Sequence, residues 1–371
     1  MIVQSKPDHK NFLFINKNLY KKFSSNINFT INGRIAIKEI ALNLGIKKGD
    51  KILIPGFICS TAIDPLIEEG IIPIYYDIGL DLKINLDKIL IHLEKKDIKA
   101  ILLVNYFGIL DTNKIKILTF CKQHGLSTID DYCHSFLSYY LTRYSNKSSH
   151  GEYIAFNLNK TLRVKCGAYI CANDKENKSY ILKKTKTIFL FFSYIFGLLE
   201  LLNRRFRLVN IYHQKVEFLK NFFLAFKNSI FKEHINNVFR LNYFIIASIT
   251  NIDFLEGVKI KRRNNYKILF KLLNEIGINP IQKFEDNISV PQVLVIKDKS
   301  GKLNQFLRNN GIGSYKWPDK ELPDFSSQEK LTLKNTLFLT RTLVCLPIHH
   351  SLKMQDLKYI SNKINEFYSI N

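Results

Sequence analysis

The segments Ala100-Ile-Leu-Leu-Val-Asn105 and Leu126-Ser-Thr-Ile-Asp130-Asp131 indicate the fold of this chain. A helix-like segment separates them. Both apolar runs are short, and both end on polar side chains. Short apolar strands that alternate with helices are typical of an α/β unit with a mainly parallel sheet. We therefore predict such a sheet within residues 33–172.

The same alternation continues on both sides of this stretch. We predict strands at residues 51–55, 72–77, 100–105, 126–130 and 168–171, and helices at 35–44, 61–69 and 112–124. In such sheets ligands collect beyond the carboxyl ends of the strands. Asp131 and the turn after Asn105 both lie there, so we expect the chemistry at one edge of the sheet.

The C-terminal hundred residues return to mixed helix and strand, after a helical and irregular region at about 180–270. We predict strands at 290–296 and 343–347, helices at 302–310 and 354–368, and a turn at 311–313. The predicted organisation has two domains. Residues 1–245 form a large α/β domain with an N-terminal arm and a helical insertion near 180–210, and residues 246–371 form a small α+β domain.

Length and charge limit the function. A chain of 371 residues that is 46% apolar can bury sizeable cores. Its formal net charge of +23 favours an anionic partner, such as a nucleotide, a phosphorylated sugar or an acidic lipid surface. The basic residues are spread over the whole length and no nucleic-acid-binding motif is present, so nucleic acid is not the expected partner.

Cysteine usage and the first residues favour a reduced, cytoplasmic protein. The six cysteines include no CxxC pair and have no metal-ligand spacing, so no metal site is expected. They are Cys59, Cys121, Cys133, Cys166, Cys171 and Cys345. No apolar run follows the charges of the first ten residues, so neither a signal peptide nor a transit peptide is expected.

Residues 188–202 form an apolar stretch with lysines before it and arginines after it. It is shorter than the roughly 20 residues that a transmembrane helix needs. We expect a helix that is buried or at a dimer interface, with docking on a membrane surface as the main alternative.

Asp131 and Lys160 together suggest an enzyme. Pyridoxal phosphate acts as an electron sink when a buried carboxylate keeps its ring nitrogen protonated and a lysine amine holds its aldehyde. Alone, Lys160 could be a solvated surface amine and Asp131 a turn or helix cap. Their placement after neighbouring strands favours the functional interpretation.

Four blocks of sequence give these two residues a context. They are Asn32-Gly33-Arg34 with residues 49–77, Asn105-Tyr-Phe-Gly108 with residues 121–135, Phe156-Asn-Leu-Asn-Lys160 with residues 161–168, and residues 346–352. Together they resemble the DegT/StrS-type sugar aminotransferases, a family of fold type I pyridoxal phosphate-dependent enzymes. The resemblance runs over most of the chain and implies that fold, with the cofactor in the large domain.

The resemblance also implies roles for single residues. Asp131 stands at the position that pairs with the pyridine nitrogen, His134 near the phenolic oxygen, and Lys160 at the position that carries the cofactor. Relatives with histidine in place of this lysine resemble sugar dehydratases, so lysine favours amino transfer. The turn at Gly33 and Arg34, with the helix that follows, is similar to the segment that holds the cofactor phosphate.

Two positions depart from the family pattern. Ala155 stands where many members carry a phosphate-binding serine, and Cys59 stands where an aromatic residue often stacks on the cofactor. Asn159, Ser60 or Thr61 could replace the lost phosphate contact.

Two further segments concern the substrate and the partner subunit. Tyr315-Lys316-Trp317 stands where relatives place a loop near the sugar, and Arg34 is a candidate for neutralising the diphosphate of a sugar nucleotide. Residues 236–263 are weakly similar to the segment that reaches the neighbouring subunit's cofactor in family dimers. The resemblance therefore implies a homodimer.

We thus expect an aminotransferase that moves an amino group from an amino acid, with glutamate favoured, to a keto group of a nucleotide-linked sugar. Such a reaction belongs to the biosynthesis of surface polysaccharides or related glycans. Two alternatives remain open. One is another pyridoxal phosphate reaction, such as dehydration or amino transfer to a substrate without a nucleotide. The other is a non-catalytic relative that docks on membranes through residues 188–202.

Overall fold

The structure is a computed structural model of the chain. It describes residues 2–4, 27–30, 32–93, 97–140, 150–161, 167–171, 252–283, 286–319, 322 and 325–370. All of these residues belong to one compact unit.

A seven-stranded sheet is the centre of the N-terminal half. Its strands are β1 (Ile27–Thr30), β2 (Lys51–Pro55), β3 (Ile72–Tyr76), β4 (Ile98–Val104), β5 (Ser127–Asp131), β6 (Tyr153–Asn157) and β7 (Gly167–Cys171). They lie in the order β1-β7-β6-β5-β4-β2-β3. The five strands from β3 to β6 in this order run parallel, whereas β7 is antiparallel to β6 and β1 is antiparallel to β7. The predicted mainly parallel sheet is confirmed.

Helices accompany the strands of this sheet. They are α1 (Gly33–Asn43), α2 (Ser60–Glu68), α3 (Leu86–Leu93), α4 (Lys114–Gln123) and α5 (Phe136–Tyr140). Residues 52–54 and 100–103 are fully buried, although they are successive residues whose side chains point to opposite faces of the sheet. Both faces are therefore covered, and this is why the strands are continuous apolar runs. The helices predicted from sequence match α1, α2 and α4 to within two residues at each end.

Strand β6 was not among the ranges predicted for strands, although Lys160 was expected to follow a strand. Its sequence, Tyr153-Ile-Ala-Phe-Asn157, is short, and alanine and asparagine are poor strand formers. It forms because β5 pairs with it on one side and β7 on the other. Tertiary pairing thus overrides a weak local preference, and it places the start of the segment that carries Lys160.

A two-stranded antiparallel sheet lies in the C-terminal part, formed by β8 (Val293–Lys297) and β9 (Leu343–Pro347). The helices of this part are α6 (Ile252–Glu275), α7 (Leu303–Asn309), α8 (Ser327–Thr332), α9 (Lys334–Thr342) and α10 (Met354–Ile370). The strand predicted at 290–296 begins only at Val293. Pro291 has no N–H for a ladder, and the N–H of Gln292 donates to Phe107 O at 2.7 Å instead.

Several predictions fall wholly or mainly on residues that the structure does not describe. These are the N-terminal arm, the helical insertion near 180–210, the apolar stretch 188–202, the domain boundary at residue 245 and, apart from residues 252–263, the segment expected to reach the partner subunit. In the parts of the chain that are described, no helix combines the length and the apolar character that a membrane span requires.

Candidate active site

The carboxyl ends of three neighbouring strands form the candidate site. Asp131 is the last residue of β5, where it pairs with Val104 of β4 and Ala155 of β6. Lys160 ends a single turn of 3-10 helix, Leu158–Lys160, directly after β6. Because parallel strands end at the same edge of a sheet, this topology brings Lys160 to Asp131 and to His134.

Lys160 and His134 are in contact. The Lys160 Nζ atom meets His134 Nε2 at hydrogen-bonding distance. Burial holds the pKa of His134 well below its usual value, and the charge of Lys160 lowers it further. The imidazole is therefore neutral, accepts at Nε2 and carries its hydrogen on Nδ1. That Nδ1 is buried without a hydrogen-bond partner among the described residues.

Asp131 is the buried carboxylate of the site, with 6% of its surface exposed. Its Oδ1 accepts a hydrogen bond of 2.7 Å from the N–H of Cys133. Burial raises the pKa of Asp131, while the hydrogen bonding of Cys133 and the charge of Lys160 oppose the rise. A cation near this carboxylate would favour its charged form further.

Aromatic rings enclose the Lys160 amine. The ring of Phe107 stacks on His134 with 5.1 Å between the centroids, and the Trp317 ring meets His134 edge-on at 4.4 Å. The Lys160 Nζ lies 5.6 Å from the centroid of the Trp317 ring. Trp317 comes from the C-terminal part of the chain, so the site is built from both parts of the sequence.

A cavity of about 580 Å³ opens beside Lys160. Its wall includes Arg262, Arg308 and His349, together with the first described residues, Ile2 to Gln4. No Asp or Glu contributes to the wall among the residues that the structure describes. The cavity is therefore suited to an anionic ligand.

Gly33 is the first residue of α1 and lies in a tight contact near the site. A Cβ there would overlap the Cys133 Sγ and would come within 3.1 Å of Asn157 Cβ. The side chain of Asn32 caps the helix by accepting from Ile35 N at 3.1 Å. Gly33 thus lets the start of α1 approach the chain just after Asp131. Arg34 is exposed on the first turn of α1, outside the cavity wall.

Three further positions concern the expected contacts to the cofactor. Cys59 precedes α2, and its Sγ lies 3.1 Å from Thr61 Oγ1. Its side chain makes no capping hydrogen bond to α2. Ala155 is fully buried between β5 and β7. Asn159 lies in the 3-10 turn that ends at Lys160, and its side chain is outside the described part of the structure.

The residues of the predicted substrate loop lie in two different places. Tyr315 and Trp317 line the cavity, and Tyr315 also pairs with Cys345 through backbone hydrogen bonds. Lys316 is not part of the cavity wall, and its Nζ donates to Arg341 O at the end of α9 over 3.1 Å.

Arg262 was not predicted as a site residue of its own chain. It is 1% exposed, and its guanidinium donates to Gln292 O at 2.9 Å and reaches Thr161 O at 3.5 Å. Burial lowers its pKa to about 10. In the sequence it belongs to the basic cluster Lys259-Ile-Lys-Arg-Arg263, and only the packing of α6 distinguishes it from the other members, none of which is buried. His349, in the block 346–352, also lines the cavity.

Comparison with known families explains this arrangement. Residues 29–192 match the model of the DegT/DnrJ/EryC1/StrS aminotransferase family. Over these residues, which are less than half of the chain, the sequence is similar to that family. The segment includes Gly33, Asp131, His134 and Lys160, and the predicted resemblance is confirmed.

The DegT/DnrJ/EryC1/StrS relatives include GDP-perosamine synthase from Vibrio cholerae, which is 28% identical over 102 residues. The match covers 27% of this chain and 27% of that protein, so it spans about a quarter of the relative's length.

Solved structures of the family share the fold over nearly the whole chain. A DegT/DnrJ/EryC1/StrS aminotransferase from Brucella abortus has a TM-score of 0.65 at 16% identity, covering 95% of this chain and 88% of that one. PseC from Helicobacter pylori, an aminotransferase involved in pseudoaminic acid biosynthesis, has a TM-score of 0.67 at 14% identity. The match covers 96% of this chain and 90% of that one. NtdA from Bacillus subtilis, with bound cofactor PMP, has a TM-score of 0.62 at 17% identity. The match covers 94% of this chain and 75% of that one. This likeness confirms the predicted fold class.

The residues present fit the pyridoxal group that the family resemblance implies. Lys160 offers an amine, and Asp131 offers a buried carboxylate beside it. The unpartnered Nδ1–H of His134 is a buried donor that lacks an acceptor among the described residues, which a ligand oxygen would supply. At Ala155 the expected phosphate contact is missing.

Proposed function

We propose that this protein is a pyridoxal phosphate-dependent aminotransferase. It would transfer an amino group from an amino acid, with glutamate as the expected donor, to a keto group of a nucleotide-linked sugar. The observation that carries the proposal is the contact between Lys160 and the neutral His134 beside buried Asp131. All three residues lie within the segment that matches the aminotransferase family.

Each of these residues has a task in the proposed reaction. Lys160 would hold the cofactor through Nζ and, after the donor amine displaces it, take and return a proton at the donor's α-carbon. Asp131 would hold the proton at the pyridine nitrogen. His134 would lie against the ring oxygen, and Phe107 and Trp317 would exclude water from the Lys160 amine. Pyridoxal phosphate, when bound, supplies the electron sink.

The cavity supports an anionic substrate. Arg262 and Arg308 lie in its wall, and no carboxylate accompanies them among the described residues. A diphosphate can accept charge-assisted hydrogen bonds from guanidinium groups. We propose that the sugar nucleotide enters here with its keto carbon toward Lys160, and that the product serves glycan biosynthesis in the cytoplasm. A homodimer is part of the same proposal.

A Lys160→Ala variant tests the proposed function. We expect wild-type protein mixed with pyridoxal phosphate to develop a visible absorption band that bleaches when glutamate is added, because only a lysine amine can hold the aldehyde. Lys160→Ala should lack the band. Lys99→Ala, at an exposed lysine paired with Asp97, is the control and should behave as wild type.

The fluorescence of Trp317 gives a second measurement. It is the only tryptophan in the chain, and it lies beside Lys160. Cofactor binding should therefore quench the emission of the whole protein. A wild-type protein with neither the absorption band nor the quenching would refute the proposed function. A band that glutamate does not bleach would point to another donor or another pyridoxal phosphate reaction.

A further inference from the structure

We propose that Lys114 is a positioning residue of the active site. Acting through Asp130 and Asn105, it fixes the main chain that carries Asp131 and His134. None of these three groups belongs to the cavity wall, and no motif distinguishes Lys114 from the other lysines of the chain. The inference rests on the proposed function, because it concerns how this chain holds the two residues that would meet the cofactor.

The Lys114 amine is buried and fully engaged. Its Nζ lies 2.6 Å from Asp130 Oδ2, with side-chain exposures of 7% and 0% for the pair. It also donates to Asn105 Oδ1 at 3.0 Å and to Tyr132 Oη at 2.7 Å. An ammonium has three N–H donors, and here each has an acceptor. Such a lysine is a fixed anchor rather than a mobile surface charge.

Asp130 lies behind the site. Successive side chains of a strand point to opposite faces, so Asp130 and Asp131 face away from each other at the end of β5. Asp130 faces α4, where Lys114 lies, and its Oδ2 also accepts from Gly151 N at 3.1 Å. The pair therefore holds β5 from the face opposite Lys160.

Asn105 connects the pair to the site. Its side-chain Nδ2 donates to Asp130 Oδ1 at 2.8 Å and to the carbonyl oxygen of Asp131 at 3.0 Å. Its backbone N–H donates to the same carbonyl at 3.0 Å. The carbonyl of Asp131 is thus held twice by one residue, and Lys114 fixes the orientation of that residue's amide group.

Ser135 fixes the main chain on the other side of His134. Its Oγ donates to Asn105 O at 2.7 Å and accepts from Gly108 N at 3.1 Å. His134 lies between these two fixed points, Asp131 on one side and Ser135 on the other. A displacement of Asn105 would therefore move both residues that face Lys160.

The Lys114–Asp130 ion pair also affects the charge state of Asp131. Burial lowers the pKa of Lys114, and the negative charge of Asp130 opposes this. The charge of Asp130 also raises the pKa of Asp131. Without the ammonium, an uncompensated Asp130 would disfavour the charged form of Asp131, which the pyridine nitrogen requires.

The test compares four variants with wild type. Lys114→Met removes the ammonium, Lys114→Met/Asp130→Asn removes both charges, and Asn105→Ala cuts the connection but keeps the ion pair. Lys38→Met is the matched control, since Lys38 is also buried and pairs with Glu69 at 3.1 Å, between α1 and the end of α2. We would measure pyridoxal phosphate affinity by absorption and Trp317 fluorescence, hydrogen exchange of residues 131–135, and thermal unfolding.

We expect Lys114→Met and Asn105→Ala to weaken pyridoxal phosphate binding by about tenfold or more, because small displacements of site groups are costly. Exchange at residues 131–135 should become faster in both. The double variant should recover part of the affinity that the lost charge balance removes. Lys38→Met should lower the unfolding temperature and keep the wild-type affinity.

Two results would overturn the proposal. One is a folded Lys114→Met or Asn105→Ala protein with wild-type affinity and wild-type exchange at residues 131–135. The other is an equal loss of affinity in Lys38→Met, which would show that only stability is affected. If Lys114→Met does not fold, Asn105→Ala decides. If wild type binds no pyridoxal phosphate, the proposed function fails, and the exchange measurement alone decides the role of Lys114.

Discussion

At the scale of single residues, the site depends on a missing side chain as much as on its charged groups. Gly33 has no positive φ, so a left-handed backbone is not the reason for glycine at this position. The reason is contact, since a Cβ would overlap the Cys133 sulfur. Cys133 is buried and donates its N–H to Asp131, so crowding there acts directly on the site.

The variant Gly33→Ala should therefore destabilise the protein. We expect a loss of about 1–3 kcal/mol in the free energy of unfolding, because an added methyl group in a packed contact forces its neighbours to shift. Urea unfolding measures this. Cys133→Ala in the same chain should restore part of the loss.

Gly257→Ala is the control for this prediction. Gly257 lies within α6, and nothing is within 4 Å of where its Cβ would be. Alanine favours a helix, so a gain of roughly 0.5–1 kcal/mol is expected there. A stabilised Gly33→Ala would contradict the packing argument.

Single residues also show how far sequence reasoning extends. Asp131, His134 and Lys160 were selected from their spacing and family resemblance, and the structure brings them together. Lys114 and Arg262 were not selected, because the sequence contains 55 lysines and arginines and does not mark those that are buried.

At the scale of elements, one long-range contact ties the C-terminal part to the large sheet. Helix α9 begins after Leu333, whose apolar side chain cannot cap it. Asp77, just after β3, accepts from the N–H groups of Asn335 and Thr336 at 3.0 and 2.8 Å. It also accepts from Thr336 Oγ1 at 2.8 Å. A carboxylate suits the positive end of a helix dipole, so Asp77 serves as the cap.

Replacing Asp77 by alanine should cost about 2 kcal/mol of unfolding free energy, since a helix cap and buried hydrogen bonds are lost. Chemical denaturation is the measurement. Asp64→Ala, at an exposed aspartate on α2, should change stability far less. Equal effects of the two substitutions would show that Asp77 does not cap α9.

At the scale of the whole molecule, two histidines with lowered pKa values make stability depend on pH. Burial lowers the pKa of His150 from 6.5 to about 4, and holds that of His134 well below its usual value. The unfolded chain therefore binds protons at a higher pH than the folded chain. Their contribution is fully present above pH of about 6.5 and is lost as the pH falls through the lowered values.

Asp131 acts in the opposite direction at lower pH. Burial raises its pKa, so its contribution to stability is present below the unfolded value and is lost as the pH rises through the folded value. Between pH of about 6.5 and 5 the histidines lose their contribution as the pH falls while Asp131 gains part of its own, so the comparison with a histidine variant isolates the histidine effect.

We expect the unfolding temperature to fall as the pH is lowered over this interval, and to fall less in His150→Gln. Scanning calorimetry at several pH values measures the effect. His124→Gln, at an exposed histidine after α4, serves as the control. The same pH dependence in wild type and His150→Gln would rule out His150 as a source.

The amino-acid sequence was enough to predict the alternation of strands and helices and the family resemblance, and it selected Asp131, His134 and Lys160 as candidate site residues. These follow from local patterns, because periodicity and motif spacing are recorded in short stretches of chain. Packing of distant segments determined that the Trp317 ring lies near the Lys160 amine, that Arg262 lines the same cavity, that Lys114 pairs with Asp130, and that Lys316 bonds to α9. Such contacts join residues far apart in sequence, and burial and charge pairing exist only once the chain has packed.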